Sequence, residues 1–163
     1  MMKSKGSQTS TGSLPLNVIG VQHDVMAGPF RAGLPENLYK VCLTRQCPDE
    51  SAHHFPIPDF STPGHEATQS LIEVISRALL GGQQVYVGCT AGLGRTGTIL
   101  ACLTKVLEPE EADPVAKVRR DYRASAVETS SQEDFVASFD AKKVRRRLRW
   151  VLLKARLKKL FRS

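Results

Sequence analysis

A chain of 163 residues, 41% of them apolar, is long enough for one domain with its own core and too short for two catalytic domains. Its net charge of +7 is unevenly spread: residues 142–163 hold eleven of the 23 Lys and Arg and no acid, which leaves twelve basic against sixteen acidic residues elsewhere. No run approaches the about 18 apolar residues of a membrane span. No apolar stretch follows Lys3 and Lys5 as a secretory signal requires. The four cysteines (Cys42, Cys47, Cys89, Cys102) and four histidines (His23, His53, His54, His65) match no disulfide or metal-ligand spacing. These features point to a reducing compartment, the cytoplasm being the simplest, and they imply neither a metal nor a cofactor.

Residues 1–13, rich in Ser, Thr, Gly and Lys, read as a disordered leader. The apolar run from Leu14 to Val21 predicts an early strand, and Gly28-Pro29, Gly33 and Pro35 predict that residues 25–35 form a loop. A second strand is expected over Leu38 to Leu43. Four prolines between Cys47 and Gly64 predict a long surface loop, and loops of that length often carry function. Apolar residues at Ala67, Leu71, Ile75 and Leu79 predict an amphipathic helix from Glu66 to Leu80, closed by Gly81-Gly82. Gln84 to Val87 is a short apolar strand that runs into Gly88-Cys89, and Thr96 to Leu107 suits a buried helix. Asp113-Pro114 opens a helix to about Tyr122. Ser130-Ser131-Gln132-Glu133 opens another, which no later Gly or Pro interrupts before the tail. Strands alternating with helices predict a single α/β domain over residues 14–141, with a central mixed, mostly parallel sheet flanked by helices. Residues 142–163 form a basic amphipathic C-terminal helix in this reading, into which the helix opened at Ser130 runs on.

The stretch from Val85 to Gly97 carries the chemistry. A strand ends, Cys89 follows, and Thr90-Ala91-Gly92-Leu93-Gly94 leads to Arg95-Thr96-Gly97 at a helix start. Gly92 and Gly94 let successive amides turn into one concavity, a nest for an anion, to which the helix N-terminus adds partial positive charge. Arg95 supplies a planar fork for phosphate oxygens. The same field favours the thiolate of Cys89, a nucleophile toward phosphorus, and the Thr96 hydroxyl is placed to stabilise the sulfur as it leaves. A Cys followed by Arg six residues on also arises by chance, and a buried Cys is usually only core. Here the two glycines and the strand–loop–helix setting accompany the pair. A Walker-type nucleotide loop is excluded, because no Gly-Lys-Ser/Thr is present.

Residues 89–102, Cys-Thr-Ala-Gly-Leu-Gly-Arg-Thr-Gly-Thr-Ile-Leu-Ala-Cys, resemble the signature of the protein tyrosine phosphatase superfamily. Within them, Ala-Gly-Leu-Gly-Arg-Thr-Gly-Thr is most similar to the mitotic-exit branch of the dual-specificity phosphatases. The resemblance extends over about residues 14–140. It implies hydrolysis of phosphomonoesters on proteins, phosphotyrosine and also phosphoserine or phosphothreonine, through a cysteinyl-phosphate, with the amides of residues 90–94 and Arg95 binding phosphate. It also implies a general acid, for which Asp59 in Phe55-Pro56-Ile57-Pro58-Asp59-Phe60-Ser61-Thr62-Pro63-Gly64 is the match; a loop acid that only caps the helix at Glu66 is the other reading of Asp59, and Asp49 and Glu50 lack this local pattern. Residues 118–136 are similar to the family segment Arg-Pro-x-x-Ile/Val…Gln-x-x-Phe, with Ala124 in place of Pro. Gln132 matches the residue that positions the hydrolytic water in some relatives, and it equally suits a plain helix start. Cys42 matches a strand cysteine that in some relatives forms a disulfide with the nucleophile; core packing is its other reading. The family usually has His just before the nucleophile, where this chain has Gly88.

In the tail, Leu148, Val151, Leu152 and Ala155 fall on one side of a helical wheel, and Trp150, Leu153, Leu157, Leu160 and Phe161 fall on the other, with Lys and Arg between. One strip suits the domain. The second suits a partner chain, a second copy or an anionic membrane surface, so peripheral membrane association is an open expectation. Charge alone also allows nucleic acid, but no nucleic-acid-binding motif accompanies it. Three functional readings stand at this point: a phosphoprotein phosphatase, the same chemistry on a phosphoinositide, nucleotide or RNA 5′-phosphate, and a phosphate-binding pseudophosphatase, which Gly88 keeps open. Ala91 and Leu93 do not supply the lysines that lipid-directed relatives carry in this loop.

Overall fold

A computed structural model describes residues 10–162. Strands β1 (Gly12–Val18) and β2 (Val21–Pro29) form an antiparallel hairpin, with Val18 paired to Val21 and Gly12 to Ala27. Ile19 and Gly20 make the two-residue turn, both at positive φ (54° and 75°), the geometry that matches the right-handed twist of paired strands. The expected strand over residues 14–21 is therefore divided by a turn, and half of the loop expected over residues 25–35 is strand. Gly28-Pro29 ends β2 rather than interrupting it. A β-branched residue at positive φ costs about 1–3 kcal/mol, and Ile19 offsets part of this by packing on the core. Of the expected leader, residues 1–9 lie outside the described residues, while Gly12 and Ser13 belong to β1.

Strands β3 (Tyr39–Cys42), β4 (His53–His54) and β5 (Val85–Cys89) complete a five-stranded sheet in the order β1-β2-β5-β3-β4. β5 is central and parallel to both neighbours, and only β1 and β2 are antiparallel, so the sheet is mixed and mostly parallel as expected. Burial on both faces explains why β5 reads as an unbroken apolar run. Its side chains alternate: Val85, Val87 and Cys89 enter the main core, while Tyr86 faces a smaller cluster with Phe30, Leu34, Leu38 and Cys42. The helices pack on the first face only. Loop residues cover the second. On this loop-covered side the buried Lys40 pairs with Asp49, and hydrogen bonds from Lys40 and then Ser51 pull the Asp49 carboxyl down to about 2.

Helix α1 (His65–Leu80) buries Leu71, Ile72, Ile75 and Leu79. Helix α2 (Gly94–Leu107) is buried at almost every position, and the hydroxyls of Thr98 and Thr104 donate to the carbonyls of Gly94 and Leu100, which satisfies them inside the core. Asp113 caps α3 (Pro114–Asp121) by accepting from Ala116 N. Thr129 and Gln132 form the capping box of α4 (Ser130–Ser138), one residue earlier than the sequence suggests. The long helix expected from residue 130 into the tail is three helices. Phe139 turns extended, Asp140 accepts from Lys143 N to start α5 (Ala141–Arg147), and a kink at Leu148 leads to α6 (Arg149–Leu160). Val144 and Leu148 are fully buried in the main core, so the domain extends through residue 148 and only α6 lies on its surface.

Candidate active site

Cys89 ends the central strand, and α2 begins five residues later. The chain between them must therefore turn through a tight loop at the carboxyl edge of the sheet, where ligands of open α/β sheets gather. Cys89 is 2% exposed. Its Sγ accepts a hydrogen bond from Gly92 N at 3.2 Å, and its own N–H donates to Thr96 Oγ1 at 2.9 Å. The first contact turns a loop amide toward the sulfur, and the second fixes Cys89 against the helix that follows. Thr96, expected beside the sulfur, thus acts on the backbone of Cys89.

The loop closes because Gly92 takes φ +72° and lies against β2: a Cβ there would stand 2.5 Å from the carbonyl carbon of Gly28. The Leu93 carbonyl accepts from Gly97 N (2.8 Å) and Val127 N (3.3 Å), and the Gly92 carbonyl accepts from the Tyr122 hydroxyl at 2.8 Å. Among the described residues, the amides of Thr90, Ala91 and Leu93 donate to no protein acceptor, which leaves them for an anion. Gly94 lies so near Glu128 that a Cβ would stand 2.3 Å from Glu128 Oε2, placing a carboxylate beside the loop. Gly92→Ala is expected to force the loop off Gly28, lowering kcat about a hundredfold and stability by about 1–3 kcal/mol; steady-state kinetics and thermal unfolding check both.

Arg95 is 4% exposed and joins three segments. One terminal nitrogen donates to the Ile57 carbonyl at 2.9 Å, and the other donates to Thr90 Oγ1 at 3.1 Å and stands 3.4 Å from Asp59 Oδ1. Its Nε is buried with no hydrogen-bond partner among the described residues. A buried guanidinium donor left over after these contacts is costly unless something accepts from it, and an anion in the loop would do so. Asp59 itself is exposed and accepts from Phe60 N, with Phe60 at φ +57° and largely exposed. The acid-bearing loop is thus held over the anion site by the same arginine that faces the loop.

Gln132 is fully buried. Its Oε1 accepts from Glu128 N and Thr129 N, and its Nε2 donates to the Ser61 carbonyl at 3.4 Å. It ties the start of α4 to the acid-bearing loop, the helix-start role the sequence allowed. Nearby, Arg119 holds the turn before α4 through the carbonyls of Ala126 and Val127 and an ion pair to Glu133. Cys42 pairs in register with Gly88 and faces away from Cys89. Its neighbours are Tyr86 and Cys47, and its Sγ contacts Thr44 Oγ1 at 2.9 Å. Core packing is therefore the reading the structure favours for Cys42. Gly88 has no room for a side chain: a Cβ would stand 2.6 Å from the Gly28 carbonyl oxygen and 3.0 Å from Phe30 Cβ. The order that a histidine would bring comes here from Thr96, Tyr122 and Val127.

The sequence reading did not single out Tyr122, Glu128 or Ile57. Tyr122 and Glu128 lie in the segment over residues 118–136, but no spacing rule marks a hydroxyl aimed at a loop thirty residues away. Burial pushes the Tyr122 phenol up to about 12, so it remains a donor to Gly92 well above neutrality. A phenol raised in the folded state stabilises it fully below its unfolded value and loses that contribution as pH rises through the folded one. Stability is expected to fall from about pH 10 to about pH 12, and Tyr122→Phe should flatten part of that slope in a denaturant series.

Residues 40–106 match the family model described as Tc-R-P, a DSP-PTPase phosphatase of polymorphic toxin systems. An uncharacterized protein of Methanocaldococcus jannaschii is 35% identical over 91 residues, 56% of this chain and 60% of that protein. The cyclin-dependent kinase inhibitor 3 of Rattus norvegicus is 31% identical over 90 residues, 53% of this chain and 42% of that protein. The chain thus spans about half the length of the curated relatives it matches. Among solved structures, kinase associated phosphatase carrying a serine in place of its catalytic-site cysteine superposes with a TM-score of 0.66 at 17% identity. That match covers 85% of this chain and 97% of the other, a likeness of fold.

Proposed function

We propose that the chain is a dual-specificity phosphatase-like protein of the protein tyrosine phosphatase superfamily, and that it hydrolyses phosphomonoesters on proteins through a cysteinyl-phosphate. The observation that carries this reading is the position of Arg95. One guanidinium contacts the acid-bearing loop at Ile57 and Asp59, contacts the phosphate loop at Thr90, and keeps its buried Nε for an anion beside Cys89.

The chemistry follows from the geometry. Amides of residues 90–94 and Arg95 hold the phosphate oxygens. The Cys89 thiolate attacks phosphorus, the ester P–O bond breaks, and protonated Asp59 gives its proton to the departing oxygen. Water then attacks the cysteinyl-phosphate, the Asp59 carboxylate takes its proton, and the P–S bond breaks to return the thiolate and inorganic phosphate. Preorganised donors around the loop stabilise the charge in both transition states. Protein substrates are favoured over lipid by a loop without lysine at Ala91 and Leu93, and by relatives whose names link them to kinases.

Purified protein is to be tested on p-nitrophenyl phosphate, a phosphotyrosine peptide, a phosphothreonine peptide and a soluble phosphoinositide. The reading requires kcat/KM to be highest on a phosphopeptide. A phosphoinositide preferred over both peptides would overturn the substrate class, and binding of phosphate without turnover on any of the four would establish a pseudophosphatase. Asp59→Asn is expected to lower kcat about 10²–10⁴-fold on phosphopeptides. The loss should be smaller on p-nitrophenyl phosphate, whose leaving group needs no proton, and an equal loss on both would remove Asp59 from the acid role.

A further inference from the structure

We propose that α6 is a docking surface for anionic membranes, and that it holds the domain with its catalytic loop turned away from the bilayer. The inner strip of α6, Val151, Leu152 and Ala155, lies against the domain, with Leu148 buried before it. The outer strip is left in solvent: Trp150 is 64% and Phe161 86% exposed, with Leu153 and Leu157 between them. Basic residues border this strip on both sides, Arg149 and Arg156 on one and Lys154 and Lys158 on the other. Among the described residues none of these four makes an ion pair, and the Arg149 guanidinium lies over the Trp150 ring. An aromatic and leucine strip flanked by free cations, with no acid from residue 142 onward, complements a surface of anionic headgroups over acyl chains. A protein groove would match the apolar strip but would not by itself call for a border of one sign. No helix among the described residues is long and apolar enough to cross a membrane, so the helix lies on the surface.

Topology fixes the orientation. The loop from Cys89 to Arg95 is at the carboxyl end of β5 and the amino end of α2. The side-chain contacts that tie α5 and α6 to the domain are at the other end of the sheet. Arg145 donates to the Lys105 carbonyl near the end of α2. Arg147 pairs with Glu73, and its carbonyl accepts from Arg77, in the second half of α1. Lys159 reaches Gly20 in the β1–β2 turn. At 1.5 Å per residue the fourteen residues of α2 separate the two ends by about 20 Å. A bilayer at α6 therefore lies beneath the sheet, out of reach of the phosphate loop, and the enzyme would act on soluble or protein-borne phosphate. This orientation rests on the catalytic reading above; the docking does not.

The test is co-sedimentation of the full chain with phosphatidylcholine vesicles made with and without phosphatidylserine. Wild type and Cys89→Ser are expected to pellet alike with the anionic vesicles only, and to be released by 1 M salt, where the Debye length is about 3 Å. The double variant Trp150→Asp, Phe161→Asp should bind at least about tenfold more weakly while hydrolysing p-nitrophenyl phosphate at the wild-type rate. Equal recovery in the supernatant with both vesicle types would overturn the docking. So would a double variant that binds vesicles normally but converts a dimer to a monomer by light scattering, which would give the strip to a second copy. For the orientation, vesicle-bound wild type should keep its rate on a soluble phosphopeptide and cleave a phosphoinositide in the same vesicle no faster than the double variant does. Lipid cleavage about tenfold faster than the variant's would overturn it.

Discussion

Cys89→Ser is expected to lower kcat at least about a thousandfold on every substrate while leaving the affinity for inorganic phosphate unchanged. The two effects separate because the groups that bind phosphate and the group that attacks it are different atoms of one loop. The amides of Thr90, Ala91 and Leu93 and the Arg95 guanidinium make no bond to the sulfur, so most of the cradle survives the change. The nucleophile does not survive it. The Cys89 sulfur accepts from Gly92 N–H just ahead of α2, and a serine hydroxyl in its place is a far weaker nucleophile. Steady-state kinetics and calorimetric titration with phosphate report the two quantities independently. Weakened phosphate binding would mean that the sulfur organises the loop rather than only attacking from it.

Arg95→Lys is expected to lower kcat about 10²–10³-fold and to weaken phosphate binding as well. The charge is kept, but the shape is lost. A single ammonium cannot donate at once to the Ile57 carbonyl, Thr90 Oγ1 and an anion, nor hold Asp59 at 3.4 Å. The acid-bearing loop should therefore loosen. A double variant with Asp59→Asn distinguishes the two contributions: if Arg95 also positions Asp59, the combined loss will be smaller than the product of the single losses. Independent losses would confine Arg95 to phosphate.

The catalytic loop was legible because its chemistry is local. A cysteine, two glycines, an arginine and a helix start occupy seven consecutive positions, and short-range geometry alone brings them around one anion. Asp59 was legible only through its resemblance to a known pattern, because its place over the loop depends on Arg95 reaching across to Ile57. Tyr122 and Glu128 act on the loop through contacts 30 or more residues distant in sequence, which no periodicity reveals. In the fold, β5 and α1 were legible from their apolar patterns. The β1–β2 turn was missed because Ile19, a strand former, occupies a left-handed position that usually calls for Gly, Asn or Asp. The break after α4 was missed for a related reason: Phe139 and Asp140 end one helix and cap the next without any Gly or Pro. Gly88 looked like a deficiency in the sequence. In the structure it is the residue that lets β5 pass Gly28 and Phe30, so its absence of a side chain is a packing requirement.

The central claim is that Cys89 carries the phosphoryl group between substrate and water. The direct measurement is rapid acid quenching of the enzyme during turnover of a radiolabelled phosphopeptide, followed by peptide mapping. The account predicts label on the peptide containing Cys89, stable in acid and absent from Cys89→Ser, with a larger amount in Asp59→Asn if loss of the base slows hydrolysis of the intermediate more than its formation. Turnover without label on Cys89, or label on another residue, would contradict it.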